Sequence, residues 1–421
     1  MASFKPVPCG QAEGESKLIY SPTLERVRRG ELCTGCGLCA ALSDGAFSLE
    51  DHAPGYLRPP AKAALSPQAE AAVAIACPGN RVAPWPEDHP VHPYWGPIGS
   101  CQTGHASDPE VRHLGSSGGV LTALAIFALE QGLVDGIVHV SADPAHPTRN
   151  RNVLSRDRAG IMAAAGSRYA ASSPLAQIDK LLASGERYMF IGKPCDVSAL
   201  SALSAVDPRV AQAFPYRLSF FCGGIPSFAG TDRILAALGL AGRKLASFRF
   251  RGNGWPGLTE ARTVEGEVAT MRYADSWGRY LSSEVQYRCK ICPDAIGGAA
   301  DIAAADAWHG GETGYPTFEE QEGRSLVIGR SAAGQDLLAR ALASGAIALE
   351  DLAVAEIDLM QPSQARRKRL VMARTAAART MLQPLPQMRG LGLGSAARRA
   401  KVSETIHNYL GSLRRIIVGR R

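Results

Sequence analysis

The sequence predicts an α/β (α+β) protein assembled from a small cysteine-rich module, a larger body of alternating strands and helices, and a basic helical C-terminal tail. Three observations predict it. Cys33, Cys36 and Cys39 recur every third residue in ELCTGCGLCA, and a distant Cys77 is followed by Pro78. Between residues 114 and 306 an apolar strand, a Gly- or Cys-bearing turn and an apolar helix follow one another repeatedly, which is the pattern of an α/β layer. From Arg366 onward, fourteen Lys and Arg stand against one acid, Glu404.

Residues 1–24 read as a leader and residues 25–90 as the cysteine module. A C-x2-C-x2-C run wraps one loop around a face of an iron–sulfur cube, and a remote Cys-Pro supplies the fourth ligand. No second such run exists nearby, so Cys77 completes a single 4Fe–4S cluster with Cys33, Cys36 and Cys39, making this a ferredoxin-like module. Zinc is the alternative, but structural zinc sites are usually built from two ligand pairs rather than three evenly spaced thiolates. The stretch APWPEDHPVHPYWGP disfavours helix and sets a domain boundary near 90–98.

The body reads as two regions, 97–178 and 185–355. In the first, LGSSGGVLTALAIFALEQGLVDGIVHVS is a Gly/Ser turn, a helix and a strand at 134–140. In the second, RYMFIGKPCDVSALSAL and YRLSFFCGGIPSFAGTDRILAAL each place a cysteine, Cys195 or Cys222, after a short apolar strand. If those strands are parallel, both thiols emerge on one rim of the sheet, where α/β proteins bind their ligands. The pair Cys289 and Cys292 in CKICPD precedes a strand ending at Asp306, and the four thiols form a second candidate cluster site. A cluster accepts one electron at a time, so two of them serving an organic substrate require a two-electron collector, and a flavin is the usual device.

Phosphate-cradling turns locate the flavin. Gly115, Ser116, Ser117, Gly118 and Gly119 precede a helix whose N-terminal N–H groups suit a pyrophosphate. GSRYAASSP adds Ser167, Arg168, Ser172 and Ser173, with Arg168 a bidentate phosphate ligand. The competing reading is two capped helix starts. No G-x-G-x-x-G stands in Rossmann context, which disfavours direct NAD(P) use.

Composition narrows the class. Hydrophobic residues at 46% and charged residues at 20% are an ordinary globular balance, and no apolar run approaches the roughly 18 to 20 residues of a membrane span. The N-terminus has neither an apolar h-region nor a basic n-region, and ten cysteines clustered near Gly and Pro point to metal ligation in a reducing compartment; the expectation is a cytoplasmic protein. The net charge of +7 resides in the tail, which carries +13 while the remainder carries −6. Such a tail suits an acidic ferredoxin, an anionic membrane face or nucleic acid, or is simply a solvated basic helix. Its last segment places Val402, Ile406, Tyr409, Leu410 and Leu413 at helical spacing, a face expected to dock on the body or on a membrane surface.

The ordered set GSSGG, GSRYAASS, GKPCD, FFCGG, CKICPD and ADIAAADAW, behind CTGCGLC, resembles the coenzyme F420 hydrogenase/dehydrogenase beta-subunit family over about residues 25–330. The resemblance implies an FAD protein with 4Fe–4S clusters that moves electrons between ferredoxin-like donors and an organic acceptor. It implies that GSSGG and GSRY, including Tyr169, contact FAD, and that Cys195, Cys222, Cys289 and Cys292 hold the inner cluster. Lys193 stands where many relatives carry a small or hydroxyl residue; beside the inner cluster it favours an anionic reduced flavin or substrate, or else it forms a surface salt bridge.

For proton delivery the candidates are Asp306 and His309 of ADAWHG, His309 being equally a hydrogen-bonded core residue, and Lys193 is a further catalytic candidate; Trp255, Tyr273, Trp277 and Trp308 either wall a planar substrate or belong to the core. The expected function is that of an iron–sulfur flavoprotein oxidoreductase passing electrons from a ferredoxin-like donor through two 4Fe–4S clusters to FAD and on to an organic small molecule. The alternatives are an electron-relay beta subunit without its own substrate, and a zinc-bound interaction module. The lack of a base-stacking motif argues against a nucleic-acid partner.

Overall fold

The computed structural model describes residues 18–308 and 319–419. The cysteine module starts with α1 (Pro22–Arg29), whose first turn is capped by Ser21: the Oγ accepts from the Leu24 N–H at 3.0 Å, and Pro22 occupies the position where a missing N–H costs nothing. The expected leader boundary at 24 therefore falls inside a folded helix. The cysteine loop leads into α2 (Leu38–Ala41), and α3 (Pro67–Ala76), capped by Ser66, ends at Cys77. Glu70 of α3 accepts from Ser21 Oγ and the Thr23 N–H, which locks α1 and α3 together.

Eight strands form the body's main sheet. They are β1 (Ser100–Ala106), β2 (Gly136–Ala142), β3 (Asn150–Ser155), β4 (Tyr188–Gly192), β5 (Tyr216–Phe220), β6 (Ile302–Asp306), β7 (Ser325–Gly329) and β8 (Ile347–Asp351), in the spatial order β8-β1-β7-β6-β5-β4-β2-β3. The central four, β2, β4, β5 and β6, are parallel, and the outer pairings are antiparallel. β2 lies two residues later than the expected 134–140, because Val134 and Asp135 complete the turn after the preceding helix. A separate three-stranded antiparallel sheet, spanning Leu245–Arg249, Leu258–Thr263 and Val268–Arg272, covers one side of the site.

The sheet is covered on both faces. On one, α4 (Val120–Glu130) buries Val120, Leu124 and Phe127 against Ile137, Met189, Leu218, Ile302 and Val327. On the other, Val197 and Leu200 of α5 (Pro194–Ser204) share a core with Leu38, Ala41 and Ala76 of the cysteine module. The module is thus fused to the body through apolar burial. The Pro-rich stretch is likewise no free tether: Trp95 is fully buried, and the buried Arg330 donates to the carbonyls of Trp95, Pro97 and Ile296.

The tail folds back. α6 (Ala332–Ala343) packs beside α4, and α7 (Pro362–Thr380) buries Ala365, Leu370, Val371, Ala377 and Ala378. The expected start of the tail at 366 lies within α7. Against it packs α8 (Val402–Ile417), held by Glu404, which accepts from Arg366 and Arg369 at 3.0 Å each. Of the expected docking face of α8, Val402, Ile406 and Leu410 are exposed, whereas Tyr409 and Leu413 are half-buried and the Tyr409 hydroxyl lies 3.0 Å from Thr380 Oγ1 of α7; Ser412 and Ile416 are the buried contacts. Pairing of Glu404 with two arginines of α7 sets this rotation. Among the described residues no helix is long and apolar enough to cross a membrane.

Candidate functional site

Cys33, Cys36, Cys39 and Cys77 together line one small closed space, walled by Leu24, Val27, Leu38, Leu49 and Val73. Gly35 and Gly37 have φ of +75° and +88°, which lets three cysteines of one loop turn to the same side. A Cβ on Gly37 would also meet the backbone of Ala176 at 2.9 Å. The loop is stitched to the body by Ser173 Oγ donating to Gly35 O at 2.9 Å and the Leu175 N–H donating to Cys36 O at 2.9 Å.

The second set also converges. Cys195 opens α5 after β4, Cys222 follows β5 on the same rim of the parallel sheet, Cys289 lies in the short helix Tyr287–Lys290, and Cys292 lies on the loop that leads from it to β6. Cys195 interacts electrostatically with Cys222 and Cys289, and Cys222 with Cys289 and Cys292. Burial, with neighbouring negative charge adding to it, pushes the thiols of Cys36, Cys39, Cys195 and Cys289 up, Cys77 to about 11 and Cys222 to about 12. Thiols so placed stay neutral unless a cation holds them as thiolates.

The two sets adjoin. Tyr287 and Ile291, which flank Cys289, pack with Val27, Leu32, Cys33 and Cys77 in one apolar cluster. Arg288, 2% exposed, donates to Pro78 O at 3.0 and 3.3 Å, so a buried cation spans the two ligand loops. The residues fit iron–sulfur centres. Thr34 carries a buried hydroxyl without a partner in the wall of the first space, a donor left over for a sulfide. N–H groups of Gly35 and Ile225 already point at Cys33 Sγ (3.3 Å) and Cys289 Sγ (3.4 Å), the type of bond that tunes cluster potentials. Among the described residues, no three His, Cys, Asp or Glu side chains form a group that could hold a single metal ion; the first four thiols instead surround a space.

Beside the second set opens a cavity of about 280 Å³, at the carboxyl ends of β2, β4, β5 and β6. Its wall includes Gly115, Ser116, Ser117, Gly119, Ser167, Arg168, Tyr169, Ser172, Lys193, Cys222 and Asp306. Gly119 has φ +75° and begins α4 without a side-chain cap, so the first N–H groups of the helix remain available on the cavity side. Those residues fit the phosphate end of a dinucleotide. His139, missed from the sequence, lines the same wall; its ring bonds Ser155 Oγ at 2.8 Å, and burial lowers it to about 4, so it is neutral near pH 7.

Several expected ligands are used by the fold instead. Gly118 lies outside the lining: its N–H donates to Ser325 Oγ at 2.9 Å, and a Cβ would meet Gly104 O at 2.5 Å. Ser173 faces the cysteine loop and likewise is not a lining residue. Arg168 donates to Asn150 Oδ1 and to the carbonyls of Phe248, Pro147 and Arg149, so most of its guanidinium ties three loops together rather than waiting for a phosphate. Ser117 Oγ is taken up by Arg324 O and Ser325 Oγ.

Lys193 is buried, with Nζ 2.7 Å from Asp196 Oδ2 and 2.9 Å from Ser172 Oγ. Burial opposes its charge, but Asp196 and the thiols of Cys195 and Cys222 outweigh that and hold it protonated, above the usual lysine range. Asp196, also missed as a site residue, keeps Oδ1 buried without a partner. Asp306 is clamped: Arg251 donates to both carboxylate oxygens at 2.9 and 3.2 Å, and Trp255 Nε1 to one at 3.1 Å. Its oxygens face a buried guanidinium, a partner that the expectation of a proton donor did not include. Arg251 escaped notice because a charge in the alternating stretch SFRFRG reads as an outward-facing strand residue. Tyr273 stacks under Arg251 at 4.5 Å, and Tyr169 bonds the Tyr273 hydroxyl at 3.3 Å. His309 lies outside the described residues.

Residues 101–179 match the N-terminal part, and residues 185–355 the C-terminal part, of the family described as coenzyme F420 hydrogenase/dehydrogenase, beta subunit. The chain is 24% identical over 262 residues to the coenzyme F420 hydrogenase subunit beta of Methanosarcina barkeri, covering 60% of this chain and 82% of that one. It is 22% identical over 298 residues to the subunit of the same name from Methanothermobacter thermautotrophicus, covering 67% and 95%. A chain of the F420-reducing [NiFe] hydrogenase complex from Methanosarcina barkeri shares the fold, with a TM-score of 0.55 at 21% identity over 70% of this chain and 98% of that chain. The protein is therefore a member of the coenzyme F420 hydrogenase/dehydrogenase beta-subunit family, a family of electron-transferring oxidoreductase subunits.

Proposed function

We propose that this chain is an iron–sulfur flavoprotein oxidoreductase that carries electrons from a ferredoxin-like donor through two 4Fe–4S clusters to FAD and on to an organic acceptor. The observation that carries this reading is spatial continuity: two sets of four thiols adjoin through Arg288 and Tyr287, and the second set opens through Cys222 onto the cavity. FAD when bound would supply the conversion between one-electron and two-electron chemistry.

The chain's own residues then have distinct tasks. Cys33, Cys36, Cys39 and Cys77 hold the outer centre, and Cys195, Cys222, Cys289 and Cys292 the inner one. Gly115, Ser116 and Gly119, with the first turn of α4, bind the dinucleotide's phosphates; Ser167, whose N–H donates to Ser116 Oγ at 2.6 Å, continues that wall, and Tyr169 and Ser172 line the same cavity. Lys193, kept protonated by Asp196, places a positive charge where a reduced ring or an anionic substrate gains negative charge. Asp306 fixes Arg251 in the cavity wall, and with His139 neutral the wall's charged donors are Lys193, Arg251 and the loop-bound Arg168. Cytoplasmic location and independence from nucleic acid belong to the same reading.

The experiment is turnover by the isolated chain, given chemically reduced ferredoxin and a panel of organic acceptors under anaerobic conditions. Acceptor reduction without a partner subunit supports the enzyme. Flavin reduction without turnover, restored only by a partner dehydrogenase, would replace it with the relay-subunit reading, which the names of the relatives favour.

A further inference from the structure

We infer that α7 is an electrostatic clasp on the inner cysteine centre, with Arg367 the residue that positions its loops and sets its affinity for an electron. The inference rests on the reading of Cys195, Cys222, Cys289 and Cys292 as cluster ligands. α7 begins at Pro362, beyond the 185–355 range that carries the family match. It belongs to the basic tail whose charge alone named no partner.

The clasp is built from one helix face. Residues 364, 367, 368, 371, 374 and 375 recur at the three- and four-residue spacing that aligns side chains along a helix. Arg367 Nη1 donates to Cys222 O at 2.8 Å and Nη2 to Gly223 O at 2.5 Å, while Gln364 Nε2 donates to Cys222 O at 3.1 Å. One turn further, Lys368 Nζ donates to Pro293 O at 2.5 Å and lies 3.8 Å from the centre of the Trp85 ring. Two turns beyond Arg367, Arg374 Nη1 donates to Lys290 O at 2.8 Å. A single helix thus grips the loop bearing Cys222 and the loop bearing Cys289 and Cys292.

The charges point to what the helix serves. Arg366 and Arg369, on the neighbouring face, have Glu404 as counter-ion. Arg367 and Arg374 have no carboxylate within ion-pair distance among the described residues, although both are half-buried. Cations withdrawn from water are ordinarily paired. Arg367 is also bonded to the backbone of a ligand cysteine, which sets its guanidinium against the centre that Cys222 would help to hold. An iron–sulfur centre ligated by four thiolates becomes more negative by one unit when it takes an electron from the ferredoxin-like donor, with no proton moved. A fixed guanidinium beside it therefore favours the reduced form.

The test is a potentiometric titration of the full chain, purified anaerobically, followed by electron paramagnetic resonance, with iron counted in the same samples. Arg367→Gln is expected to retain its iron and to shift one centre to lower potential, by about tenfold in electron affinity or about 59 mV for one electron. The other centre, identified as the signal lost in Cys36→Ser, is expected not to move. Arg367→Lys, which keeps the charge, is expected to return most of the shift. An unchanged potential in an iron-replete Arg367→Gln overturns the inference. If Arg367→Gln loses inner-centre iron, Arg374→Gln decides: a lower potential supports the clasp, and an unchanged one overturns it. A parent chain holding only one centre overturns both the ligand reading and the clasp built on it, whereas two centres with no Arg367 effect overturn the clasp alone.

Discussion

The Arg251–Asp306 pair gives the sharpest test of the cavity's construction. Asp306→Asn removes one charge from a pair in which the Arg251 side chain is 4% exposed and the Asp306 side chain 20% exposed. Removing one partner of a buried pair costs roughly 3 to 5 kcal/mol, because the other charge stays buried without compensation. Solvent reaches Asp306, so the lower end applies, about 3 kcal/mol. Replacing both partners, with Arg251→Met and Asp306→Asn, leaves no orphan charge, so the double variant should lose about 2 kcal/mol less than the two single losses together. Urea unfolding followed by tryptophan fluorescence suits the measurement, since Trp255 itself donates to Asp306. A stability loss below about 1 kcal/mol combined with abolished turnover would refute the reasoning and return Asp306 to the role of proton donor.

Three further outcomes follow from the same geometry. His139 is lowered by burial to about 4 in the folded chain, against about 6.5 when unfolded. The unfolded state then binds more protons between those values, so stability is complete above pH 6.5 and falls as pH drops toward 4, by up to about 3 kcal/mol; His139→Gln should flatten that part of the difference curve in urea midpoints measured from pH 4 to 7. Gly119→Ala forces φ +75° on a residue with a Cβ 2.7 Å from Val111 O, which costs about 1–2 kcal/mol from the backbone alone, and flavin content after desalting should drop with it. Cys36→Ser should lose about four irons per chain and reduction by ferredoxin while keeping its flavin; loss of flavin instead would contradict the assignment of the outer centre to the module.

What was legible in the sequence was chemistry held within short segments. The three-residue spacing of Cys33, Cys36 and Cys39 needs only one loop, and the strand-turn-helix pattern places Cys195 and Cys222 on one rim because parallel strands share a direction. Gly119 and its helix were legible for the same local reason. What escaped was set by distant partners. Arg168 looked like a phosphate ligand until its guanidinium met the carbonyls of residues 147, 149 and 248. Ser173 and Gly118 were diverted by Gly35 and Ser325, and the tail's direction of docking depended on Glu404 finding Arg366 and Arg369. No periodicity within one segment encodes such pairings.

The most direct measurement is the iron, sulfide and flavin content of the chain isolated without oxygen. The account predicts a brown protein with about eight irons, as two four-iron centres require, and one FAD. A colourless chain with roughly one zinc and no flavin would contradict it.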